Sequence, residues 1–85
     1  LTIFKKERKS YLLIVRYTAE NEVNVNGVLG AIKYKLKNKT QTGNSVEITV
    51  EVKIKNNDTS YISRFNAIDG VESVTLLEYS GEYMN

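Results

Sequence analysis

The chain has 85 residues, 41% apolar and 26% charged, with a formal net charge of +2, the profile of one small globular domain with a modest core. It contains no Cys and no His, which excludes disulfides, thiolate nucleophiles and zinc–thiolate sites, and removes the commonest general base and metal ligand. No apolar run approaches the roughly 20 residues that span a bilayer.

The N-terminus is read as a basic arm over residues 1–9. Four of the twelve basic residues, Lys5, Lys6, Arg8 and Lys9, lie there with Glu7, and the rest of the chain carries eight basic and nine acidic groups. Leu1-Thr2-Ile3-Phe4 ahead of that cluster sets apolar residues against basic ones, the pattern found just cytoplasmic of a transmembrane helix. A start at Leu1 rather than Met is read as a fragment or processed product. The alternative for the arm is a frayed, solvated terminus.

One compact unit is expected over residues 10–83, with Met84-Asn85 loose. Tyr11–Tyr17 predicts a strand that is apolar on both faces, with Leu13, Val15 and Tyr17 on one and Leu12, Ile14 and Arg16 on the other. Such a strand belongs at the centre of a sheet. Glu22–Lys33 predicts a helix with Val25, Val28, Leu29 and Ile32 on its apolar face, weakened by Gly27 and Gly30. Tyr34–Thr42 alternates, which predicts a strand with Lys35, Lys37 and Lys39 on one face. Gly43-Asn44 predicts a turn. Ser45–Lys55 carries the cleanest alternation, Val46, Ile48, Val50, Val52 and Ile54 against Glu47, Thr49, Glu51, Lys53 and Lys55. Pairing these two strands brings the lysines alongside Glu47 and Glu51. Thr59–Ile68 predicts a second helix with Asp58 as N-cap and Gly70 as its stop. Val71–Tyr79 is the last strand.

The order βαββαβ predicts an α+β, ferredoxin-like sandwich: a four-stranded antiparallel sheet with both helices on one face. The first and third strands are then central and the second and fourth lie at the edges, where lysines discourage pairing with other sheets.

No constellation predicts catalysis, so the chain is read as a non-enzyme without metal or cofactor. Glu20, Glu22, Asp58, Asp69, Glu72, Glu78 and Glu82 are scattered, and no Ser or Thr has a partner to activate it. The third strand offers Glu47, Thr49 and Glu51 where nucleic-acid-binding sheets offer aromatics, so nucleic acid is not an expected partner. The open sheet face is the better lead. Either Leu12 and Ile14 or Leu13 and Val15 must face away from the helices, with Leu77 and Tyr79 beside them. A contiguous apolar patch there marks an interface, for a homodimer or for docking to the rest of a larger protein.

Asn24-Val25-Asn26-Gly27-Val28-Leu29 resembles the loop-to-helix start of ACT domains, regulatory modules that bind amino acids at dimer interfaces. Gly27, Val28 and Leu29 match that pattern, whereas Asn24 replaces its acidic residue and Asn26 its proline. The resemblance implies a small-molecule ligand held by Asn24, Asn26, Gly27, Val28 and Leu29. The alternative is packing of Gly27 and Gly30 against the sheet.

Residues 10–83 as a whole resemble the soluble C-terminal domain of an uncharacterised bacterial membrane-protein family, whose tail is similar to the ACT-like domain of MgtC/SapB-like proteins. The likeness rests on Tyr34–Thr40, Val46–Lys53 and Ile68–Val74. It implies a regulatory or assembly domain on the cytoplasmic side of the cell membrane, with Lys5, Lys6, Arg8 and Lys9 at the exit from the last transmembrane helix. It implies no catalytic residues.

Overall fold

The computed structural model describes residues 9–79. Strand β1 (Lys9–Thr18) leads through a 3-10 turn (Ala19–Asn21) into helix α1 (Glu22–Leu29). Strands β2 (Tyr34–Thr42) and β3 (Ser45–Ile54) follow, then helix α2 (Ser60–Asn66) and strand β4 (Val71–Glu78). The sheet is antiparallel throughout, in the order β2-β3-β1-β4. This is the expected ferredoxin-like arrangement, with β1 and β3 central.

Alternation on β3 sets the core. Val46, Ile48, Val50, Val52 and Ile54 are all buried, and their register partners on β1 include Leu13, Val15 and Tyr17, also buried. Val25 and Leu29 from α1 and Tyr61 and Phe65 from α2 close this layer, each pair four residues apart and so on one side of its helix. Leu12, Ile14 and Arg16 therefore lie on the opposite, helix-free face. Between β2 and β3, Gly43 takes φ +59 at the first position of a two-residue turn and Asn44 does not share it, as a type II′ hairpin requires.

Several expectations are corrected at the element ends. Helix α1 stops at Leu29, four residues early; Ala31 and Ile32 donate to Val28 and Leu29 in tighter three-residue steps. With Gly27 and Gly30 in its last turns, the helix has little propensity to run on into the strand at Tyr34. Lys9 is the first residue of β1 and lies 3.5 Å from Glu78, so it belongs to the sheet rather than to the arm. Lys5, Lys6 and Arg8 lie outside the described residues, as do 80–83 at the end of the expected unit.

Helix α2 starts differently as well. Its N-cap is Thr59, which makes no side-chain capping bond. Asp58, one residue earlier, accepts the Ser60 backbone N–H at 3.1 Å, and that bond holds its carboxyl below its ordinary pKa. Asn56 and Asn57 precede it at φ 56 and 57, with the Asp58 N–H donating to Lys55 at 3.0 Å. Asn is the side chain, after Gly, that best tolerates this left-handed region.

One core group is left without a partner. The Tyr61 hydroxyl is buried and has no hydrogen-bond partner among the described residues, and burial, with Asp58 nearby, raises its pKa. Desolvating an unpaired hydroxyl costs about 1–3 kcal/mol. Tyr61→Phe should therefore match or exceed the native stability in urea unfolding. A loss of more than about 1 kcal/mol would show instead that the hydroxyl is bonded.

Candidate functional site: the uncovered face of the sheet

The face opposite the helices divides lengthwise. On β1 and β4 it carries Leu12 opposite Leu77, Ile14 opposite Thr75, and Arg16 opposite Ser73. The alternation continues to Ser10 and Tyr79, whose backbone N–H donates to the Ser10 carbonyl at 3.0 Å. Leu12, Ile14 and Tyr79 are half-buried, and Leu77 is 48% exposed. The four residues expected at an interface thus fall together in one apolar stripe.

On β3 and β2 the same face is charged. Glu47, Thr49, Glu51 and Lys53 lie beside Arg16, Ile14, Leu12 and Ser10 respectively. Arg16 Nη2 meets Glu47 Oε1 at 2.7 Å, and that bond raises the Arg16 pKa. Lys37 lies 3.9 Å from Glu51, and its ammonium sits 5.8 Å from the centre of the Tyr79 ring. Such a cation over an aromatic face is attractive. The contact joins side chains from the two edges of the sheet, β2 and the end of β4, across the face.

The lysine stripe is not the one expected. Between Leu36 and Asn38 the β2–β3 register shifts, which leaves Lys37 as the extra residue of a bulge. The bulge resets the alternation. Lys35 and Lys37 stay on the open face, but Lys39 turns to the helix side and meets Glu22 at 2.7 Å. Glu47 accordingly pairs with Arg16 rather than with a β2 lysine.

On the helix side this creates a polar link absent from the sequence reading. The Tyr17 hydroxyl donates to Glu22 at 2.9 Å, while Lys39 bonds the other carboxylate oxygen. Burial and the Glu22 bond push the Tyr17 pKa up; the Lys39 bond, then that from Tyr17, lowers the Glu22 pKa. Only a helical Glu22 followed by a one-residue slip in β2 brings these three together, and the slip has no sequence signal.

The segment expected to hold a small ligand lies in the body of α1. Leu29 is in the core, Val28 is half-buried, and Asn24, Asn26 and Gly27 are exposed. Asn24 Nδ2 donates to Asn21 Oδ1 at 3.3 Å. The loop-to-helix start lies earlier, at Thr18–Glu22, where the Thr18 and Ala19 N–H groups are already bonded to Gly70 and Asn44 carbonyls at 2.9 Å. Among the described residues no group of three or more acidic, His or Cys side chains could hold a metal ion, and no helix is long and apolar enough to cross a membrane.

Compared with protein-family models and with curated proteins, the chain finds no match in either.

Proposed function

We propose that this is a non-catalytic regulatory or assembly domain, the cytoplasmic C-terminal tail of an integral membrane protein, and that it acts by self-association through the open face of its sheet. The observation that carries this reading is the apolar stripe Leu12, Ile14, Leu77 and Tyr79, left uncovered while both helices pack on the other side. The membrane placement rests on the basic residues Lys5, Lys6 and Arg8 behind an apolar stretch.

Leu77→Lys tests the first part. Leu77 sits on the edge strand at 48% exposure, so the monomer tolerates a lysine there. By analytical ultracentrifugation the native chain should reach twice 9.7 kDa at high concentration, and the variant should stay a monomer with its thermal midpoint within a few degrees of native. An unchanged association in the variant would remove the stripe as the contact. Membrane fractionation of the native gene product, with an antibody to this domain, tests the second part: a small protein found only in the soluble fraction would remove the membrane placement.

A further inference from the structure

Building on the self-association reading, we infer that the occupant of the open face is a second copy of this chain, packed with its strands antiparallel to the first. The two-fold axis lies in the plane between the sheets, perpendicular to the strands, and crosses β1 between Leu12 and Ile14.

Two independent patterns select this geometry. The first is lateral. The apolar stripe occupies β1 and β4, and the charged stripe β3 and β2. A two-fold running along the strands through the middle of the sheet would lay β4 of one copy over β2 of the other and bury Leu77 and Tyr79 against lysines, and one set between β1 and β4 would leave β3 and β2 outside the contact. A two-fold across the strands lays β1 and β4 over β1 and β4 of the other copy, and β3 and β2 likewise, with every contact repeated by symmetry.

The second pattern is longitudinal. At the Ser10 end the face holds Lys35, Lys37 and Lys53 against Glu51; at the Arg16 end it holds Glu47 paired with Arg16, and the charge of Glu72 on β4 is near enough to favour the charged Arg16 as well. One end is net basic and the other net acidic, so antiparallel packing sets opposite charges on each other. The registers coincide. Midway between Glu47 and Lys53 on β3 is Val50, which pairs with Leu13, the residue between Leu12 and Ile14. An axis at that level places Leu12 over Ile14 of the partner copy and Lys53 over its Glu47.

The contact is small. Four strands at about 4.8 Å spacing and about nine residues at about 3.4 Å give a footprint on the order of 600 Å² per copy. Stable complexes bury about 800 Å² on each side. The free dimer is therefore weak and salt-sensitive, and tethering two copies to one membrane would raise their effective concentration enough to hold it.

Charge exchange tests the geometry. Lys53→Glu alone and Glu47→Lys alone each place like charges at both contacts of their own dimer, whereas the mixture of the two variants restores attraction at both. In sedimentation equilibrium at low salt, each single variant should self-associate at least about tenfold more weakly than the native chain, and the equimolar mixture should recover native-like association. Should Glu47→Lys fail to fold, Thr40→Lys replaces it, adding charge beside Glu47 without removing the Arg16 pair. A native dimer that neither variant weakens, or a mixture no tighter than its components, overturns this geometry and leaves self-association standing. A native chain that stays monomeric at every concentration overturns both.

Discussion

Phe65→Ala is expected to remove a large share of the domain's stability. Phe65 is fully buried and is one of only two buried residues on α2, a helix of seven residues. A helix that short has no stability of its own in water and holds only through its packed face. Truncating a buried Phe costs about 3–5 kcal/mol. A domain of this size is stabilised by about 4–13 kcal/mol in total, from about 0.05–0.15 kcal/mol per residue. Urea unfolding followed by far-ultraviolet circular dichroism reads the change directly. Arg64→Ala, one residue away and exposed, serves as the control and should stay within about 0.5 kcal/mol of native. A Phe65→Ala loss below about 1 kcal/mol would mean that α2 does not close the core.

Gly70→Ala is the second large effect, and it acts through backbone and contact together. Gly70 takes φ +92, a conformation that disfavours any side chain by roughly 1–2 kcal/mol. A Cβ there would fall 2.0 Å from Asn21 Nδ2 and 2.7 Å from Thr18 Oγ1. Asn21 donates to that Thr18 oxygen at 2.7 Å, so its side chain cannot withdraw without giving up the bond, worth about 1 kcal/mol. The Gly70 carbonyl also accepts from the Thr18 backbone N–H. The close approach of the α2–β4 loop to the end of β1 thus depends on the missing side chain. A loss of about 2–4 kcal/mol is expected. Adding Asn21→Ala separates the two causes: the double variant should be less destabilised than the sum of the singles, because the clash with the Asn21 side chain is absent from it. Strict additivity would assign the whole effect to the backbone.

How far the fold was legible depended on how each segment is buried. Strand β3 has one buried and one wet face, so its period of two shows directly in Val46–Ile54 and specifies its register. Strand β1 is apolar on both faces, so alternation marks it as central without saying which set meets the helices; only the helix positions decide that Leu13, Val15 and Tyr17 do. On β2 every residue is exposed, burial imposes no pattern, and a one-residue slip at Lys37 leaves no trace in the composition. That is why Lys39 was expected on the wrong face. Asp58-Thr59-Ser60 offers three consecutive residues suited to a helix cap, so the cap was legible to within one position. Strand order placed β1 beside β4 and so located the open-face stripe, but the choice of Leu12 and Ile14 over Leu13 and Val15, the pairing of Arg16 with Glu47 and the reach of Lys37 to Tyr79 depend on placement that spacing does not encode.

The exposure of β2 has a dynamic consequence. A strand with a single backbone ladder, exposed side chains and otherwise only surface ion pairs to hold it opens at far lower free energy than the strands that carry the core. Amide protons of β2 should exchange with solvent well before those of β1, which is flanked on both sides. The sheet then behaves as three fixed strands, β3, β1 and β4, with a fourth that peels off and relays without global unfolding. Lys35 and Lys37 ride on that fourth strand, so each opening carries positive charge away from the open face and each closing returns it.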